Sequence, residues 1–83
     1  MEGKIIYDWD EFEEEFSKLE NAEFYINLDI SENGNVLRIY AETEEVVLIF
    51  EPDDLDLRKW KKELEKRLID YKWGESPVRI VEK

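Results

Sequence analysis

The side chains in this sequence able to do chemistry are carboxylates. Asp8, Asp10, Glu11, Glu14 and Glu15 crowd one stretch and Asp53, Asp54 and Asp56 another, while histidine and cysteine are absent. Without imidazole or thiol there is no Cys–His pair, no Ser–His pair and no thiolate metal site. The hydroxyls Ser17, Ser31, Thr43 and Ser76 lack an identifiable base, and no glycine-rich phosphate loop is present. Carboxylates alone support three kinds of chemistry: acid–base catalysis by a pair, coordination of a hard cation, and electrostatic recognition of a basic surface.

The first two are weak here. With 23 acids in 83 residues, some pair lies close by chance, so proximity alone is no sign of glycosidase-like chemistry, and the chain reads as a non-enzyme. The run Asp29, Ile30, Ser31, Glu32, Asn33, Gly34 looks like the opening of a calcium loop, but position 12 would be Tyr40 where a bidentate glutamate is needed. Asp53, Asp54 and Asp56 stand where a helix begins and read as capping residues rather than magnesium ligands. No cofactor or metal is expected.

Composition supports the third kind. Apolar and charged residues each make up 42% of the chain, enough apolar surface for one folded domain over residues 1–83 despite a net charge of −11. No apolar run approaches the roughly 18 residues of a membrane span and the N-terminus does not resemble a signal peptide, so a cytoplasmic location is expected. Glutamine is absent while glutamate and lysine abound, a mixture shared by thermostable and designed proteins.

The elements that must position these acids follow from apolar spacing. Residues 4–7 read as a strand. Asp8 with Glu11 three positions later forms a capping box, and Trp9, Phe12, Phe16 and Leu19 make one apolar helical stripe, with Tyr7 and Phe12 placed as a staple and Asn21 as a stop. Phe24, Ile26, Leu28 and Ile30 then alternate with polar residues as in a half-buried strand, and Asn33-Gly34 marks a hairpin. With those two residues at the tip, Glu32 faces Asn35, Ile30 faces Leu37, Leu28 faces Ile39 and Ile26 faces Ala41. On the polar face Asp29 then meets Arg38, Asn27 meets Tyr40 and Tyr25 meets Glu42.

The unbroken apolar run from Val46 to Phe50 reads as a third strand, covered on both faces or central in the sheet. Asp53 is expected to cap a second helix of about 20 residues, with Leu57, Trp60, Leu64, Leu68 and Tyr71 as its stripe and Gly74 as its end. Its outer face carries Arg58, Lys59, Lys61, Lys62, Lys66, Arg67 and Lys72, and Trp73 lies off the stripe. A link at 75–77 leads to a closing strand at 78–81. The order β-α-β-β-β-α-β implies an α+β two-layer sandwich: a mixed sheet with a central antiparallel meander and both helices on one face.

Charge divides unevenly along this order. Residues 1–57 hold 18 acids and 3 bases, residues 58–83 hold 5 acids and 9 bases. Topology should gather Asp8, Asp10, Glu11, Asp29, Glu32, Glu51, Asp53, Asp54 and Asp56 at one pole. Carboxylates three or four apart on a helix stand about 5–6 Å from each other, on the scale of successive phosphates, so such a pole can imitate a nucleic-acid backbone. The chain is similar in size and charge to small acidic inhibitors made by phages, including some anti-CRISPR proteins and uracil-glycosylase inhibitors. The likeness is one of composition and carries no motif.

The expected function is a small acidic protein-binding module, an inhibitor or DNA mimic that engages the basic surface of another protein, such as a nucleic-acid-binding protein, through Asp8, Asp10, Glu11, Glu14, Glu15, Asp53, Asp54 and Asp56. Its charge argues against direct binding to nucleic acid, even though Tyr25, Tyr40 and Arg38 would suit a stacking platform. The alternative is a stand-alone structural or designed scaffold with no ligand. As a monomer or a homodimer, it would associate through an edge strand or the uncovered sheet face.

Overall fold

Alternation of large apolar with polar side chains builds the centre of the molecule. The structure, a computed structural model, describes residues 2–70 and 78–82. Strands β1 (Glu2–Ile6), β2 (Glu23–Ser31), β3 (Gly34–Glu42), β4 (Val46–Phe50) and β5 (Arg79–Glu82) form one mixed sheet in the order β1-β4-β3-β2-β5, with helices α1 (Trp9–Phe16) and α2 (Leu57–Asp70). The fold is α+β, with β2, β3 and β4 as the antiparallel meander and β1 and β5 each parallel to its neighbour. The β1-to-β2 and β4-to-β5 crossovers run in the same direction along the sheet, so connections of one hand put both helices on the same face.

That face holds the core. Ile6, Phe24, Ile26, Leu37, Ile39, Ala41, Leu48 and Phe50 meet Phe12 and Phe16 of α1 and Leu64 of α2, all of them buried. At one end of this layer Trp9, Phe12, Phe50 and Trp60 form an aromatic cluster, with Trp9 5.3 Å from Trp60 and 5.4 Å from Phe50 between ring centroids. Burial of these rings, rather than helix propensity, holds two helices whose outer faces are charged.

The hairpin keeps its expected faces but not its expected partners. Ser31 pairs with Gly34, Ile30 with Asn35, Leu28 with Leu37, Ile26 with Ile39 and Phe24 with Ala41, two positions away from the register that places Asn33-Gly34 at the tip. Glu32 and Asn33 occupy the turn, and Gly34 follows it at φ +124°. Only glycine takes that conformation without cost, so one glycine after the turn replaces two positive-φ residues inside it. Ser31 Oγ closes the turn by donating to the Gly34 carbonyl at 2.7 Å. A shift of two leaves every side chain on its original face, and it sets bulky Phe24 opposite small Ala41. Tyr25 and Tyr40 become direct neighbours, stacked at 4.6 Å with an 11° tilt, and Asn27 faces Arg38.

Other expectations shift at element ends. β1 begins at Glu2 and ends at Ile6, so Tyr7 follows the strand and is 72% exposed rather than stapled onto Phe12. α1 ends at Phe16; tighter i to i+3 bonds carry Lys18 and Leu19, and Asn21 then takes a left-handed φ of 57°. The N-cap of α2 is Asp56 rather than Asp53. The run Val46 to Phe50 is interior to the sheet, with α1 over one face. The expected continuation of α2 through Tyr71 to Gly74, together with Trp73 and the link at 75–77, lies outside the described residues.

Candidate functional site

Both helices begin at the end of the sheet where β1 and β4 finish, and the contact of Trp9 with Trp60 brings their first turns together. Asp8, Asp10 and Glu11 therefore lie at the same end of the sheet as Asp53, Asp54 and Asp56. Glu51 follows β4 at the same end. Asp29 and Glu32 stand further out, because β2 and β3 continue past the last β3 to β4 pair at Ile39 and Phe50. Glu14 and Glu15 lie about 9–10 Å up α1 from Asp8 at 1.5 Å per residue, on the helix but off the pole.

The carboxylates gathered here are not equivalent. Asp8 caps α1, its Oδ2 accepting from the Glu11 amide at 3.1 Å. Asp56 caps α2, its Oδ1 accepting from the Lys59 amide at 3.2 Å. Asp54 is tied three ways: Oδ1 accepts from the Asp56 amide at 2.9 Å, Oδ2 pairs with Lys59 Nζ at 2.7 Å, and its carbonyl accepts from Trp60 Nε1 at 2.7 Å. The Lys59 ammonium holds the Asp54 carboxyl below its usual range, with help from the Asp56 amide, and Asp54 in turn raises Lys59. Lys59 Nζ also sits 5.1 Å over the Trp60 ring.

Lys4, on the edge strand, lies between Glu11 at 3.8 Å and Glu15 at 3.7 Å. Glu51 binds Arg38 Nε at 2.7 Å and raises its pKa. Glu13 approaches Arg67 of α2 at 3.4 Å, an ion pair without hydrogen-bond alignment at Nε. Among the described residues, the carboxylates of three of the eight candidates, Asp10, Glu14 and Asp53, enter neither an ion pair nor a hydrogen bond, and all three residues are exposed. The field at this pole is also softened by two helix N-termini, each worth about half a positive charge.

The opposite end is acidic as well. Glu20, Glu23, Glu42, Glu44 and Glu45 surround the end of α1, the start of β2 and the turn at 43–46, with Lys18 nearby, and a shallow cavity of about 530 Å³ opens there. Thr43 shapes that turn, its Oγ1 accepting from the Val46 amide at 3.1 Å and the Glu45 amide at 3.3 Å. Glu23 and Glu42 face each other across the β2 and β3 ladder, and Tyr25 Oη donates to Glu42 at 2.9 Å. The topology that collects acids at the helix starts also brings the starts of β2 and β4 together with the end of β3 at the far end of the sheet, and this second cluster with them.

On α2, Arg58, Lys62 and Lys66 recur at steps of four, exposed and without an ion pair among the described residues. Among the described residues no group of acids is arranged to hold a metal ion, and no helix is long and apolar enough to cross a membrane. Set against known proteins, the chain matches no family model, no curated protein and no solved structure.

Proposed function

We propose that this protein is an acidic binding module that engages the basic surface of another protein, in the manner of an inhibitor that imitates a nucleic-acid backbone. The observation that carries the reading is that Asp10, Glu14 and Asp53 are exposed carboxylates with no partner among the described residues, beside a pole where two helix starts meet. Glu11 and Glu15 share one lysine between them at more than 3.5 Å, so a partner's arginine can compete for them. Asp8 and Asp56 serve first as caps and Asp54 as a brace of the α2 start, and all three belong to the surface only through their charge.

The test is capture of cell proteins on the immobilised chain at low and high salt, repeated with Asp10→Lys/Glu14→Lys/Asp53→Lys. The expected result is retention of one or a few basic proteins at low salt, release at high salt, and loss of retention by the folded triple variant. Equal retention by the variant overturns the reading.

One observation favours a second reading, a scaffold without a ligand. Five of the eight candidate acids are already occupied by caps or by Lys4 and Lys59. A scaffold retains no protein above an unrelated acidic control.

A further inference from the structure

Pro52 stops β4 short, and the stop leaves a gap in the sheet. Ile39 with Phe50 is the last pair between β3 and β4, and β1 runs to Ile6 opposite the same Phe50. Proline lacks the amide that a further rung would need. The chain from Pro52 leads into α2 instead, while β3 extends past the gap on one side and Tyr7 stands on the other. An open cavity of about 280 Å³ lies there, with Tyr7, Val36, Pro52 and Leu55 as its apolar walls and buried Leu37 behind them.

These walls hold apolar surface that the fold leaves in water. Among the described residues the exposed large apolar side chains are Ile5, Tyr7, Ile30, Leu55 and Ile80. Tyr7 and Leu55, 72% and 39% exposed, both line this cavity, and Ile30 pairs with Asn35 on its border. Single exposed apolar residues are ordinary, but a concave group of them marks a contact site. The cavity falls below the roughly 300 Å³ at which small-molecule pockets begin, and it has room for one large side chain. Interface hot spots have this form, an aromatic anchor in a pocket ringed by groups that exclude water.

The rim determines what should flank the anchor. Glu51 and Asp53 line the cavity, and Asp8 and Asp54 adjoin Tyr7 and Leu55 in the chain. Arg38 is bonded to Glu51 and Lys59 to Asp54, each at 2.7 Å, while Asp53 has no partner among the described residues. Four acids against two cations favour an incoming cation. A nucleic acid is repelled by such a rim, and a second copy of the chain brings a net charge of −11 to it.

We infer that this notch takes an aromatic side chain of the partner protein, one that stands directly beside a lysine or arginine. The ring packs against Tyr7, Pro52 and Leu55, and the cation meets Asp53. The inference rests on the proposed function, since it describes the partner of the same pole, and it adds an apolar share of binding that salt does not screen.

The experiment uses two labelled lysine-rich peptides of equal charge, one with a central tryptophan and one with serine in its place. Each is titrated into the full chain, with affinity read by fluorescence anisotropy and location by amide chemical shifts. The tryptophan peptide should bind about tenfold more tightly, the scale of burying part of one large side chain, and the ratio should hold as salt weakens both. Shifts should centre on Tyr7, Val36, Leu37 and Leu55. Tyr7→Ser/Leu55→Ser, at two positions outside the helices and strands, should remove the preference and leave the serine peptide unchanged. Asp10→Lys/Glu14→Lys should weaken both peptides and keep the preference. Equal affinity for the two peptides overturns the inference and leaves the acidic pole standing as a binding site; failure of both to bind at low salt overturns the two together. A preference that survives Tyr7→Ser/Leu55→Ser also overturns the inference, since the anchor then lies elsewhere. So does a wild-type dimer in sedimentation that the same variant converts to a monomer, since a second copy would then be the occupant.

Discussion

The two helix starts share a pole, an aspartate cap and an aromatic floor, yet they use their acids differently. At α2, Asp54 and Asp56 satisfy two backbone amides, Lys59 and the indole of Trp60 between them. At α1 one bond from Asp8 closes the turn, and Asp10 and Glu14 are left to solvent. Similar composition thus produces a structural cluster in one place and a display of unused charge in the other. Charge density alone does not separate a recognition surface from a capping motif; the bookkeeping of hydrogen bonds does. By that criterion the acids free to serve the proposed binding are Asp10, Glu14 and Asp53, and Asp54 and Asp56 are primarily structural.

The comparison can be broken most severely through the floor that both starts share. Phe12→Ala empties a fully buried site within the aromatic cluster and should cost about 3–5 kcal/mol in chemical denaturation, loosening both helix starts together. A cost near that of a surface substitution would show that the helices do not depend on this packing.

Removing the caps separately comes next. Asp8→Ala and Asp56→Ala should each lower stability by about 1 kcal/mol, because each aspartate satisfies one amide of a first turn. Asp53→Ala, at the position expected from sequence to cap α2, should change stability by less than about 0.5 kcal/mol. Denaturant midpoints at constant slope resolve the difference.

A smaller effect separates the starts by pH. The folded-state pKa of Asp54 is depressed, so its contribution is present above the unfolded value of about 3.9 and is lost as pH falls through the folded value. Lys59 is raised, so its share persists below about 10.4 and is lost only as pH rises through its folded value. The melting temperature of wild type should therefore exceed that of Asp54→Asn by a constant margin between about pH 5 and 9, and the margin should close in strong acid. Asp10→Asn/Glu14→Gln should leave stability within about 0.5 kcal/mol of wild type, the smallest change of the set.

Much of this architecture can be read from the residues alone, and the limits have physical causes. The capping pair of Asp8 with the Glu11 amide, the three-strand meander and the one-sided placement of the helices all follow from apolar period and crossover rules. Alternation determines which face a residue occupies but not its partner, so a register offset of two is invisible until Gly34 is seen to follow the turn rather than form it. Asp53, Asp54 and Asp56 are equally competent as caps. The choice of Asp56 goes with local contacts of the first turn, with Trp60 reaching the Asp54 carbonyl and Lys59 its side chain.

The site is less legible than the fold. Sequence places eight acids near one another but does not say that Lys4 sits between Glu11 and Glu15, since that requires knowing which side of an edge strand faces α1. The far cluster of Glu20, Glu23, Glu42, Glu44 and Glu45 is scattered in sequence, since the end of α1, the start of β2 and the turn after β3 meet only once the sheet is paired. The stacked pair of Tyr25 and Tyr40 depends on the register itself.

The account is tested most directly by reversing charge at each helix start in turn and measuring both melting temperature and capture of basic proteins at low salt. Asp10→Lys/Glu14→Lys should abolish capture while melting like wild type, and Asp54→Lys/Asp56→Lys should melt well below it. Should the α1 reversal capture the same proteins as wild type, or melt as low as the α2 reversal, the division between displayed and structural carboxylates would be wrong.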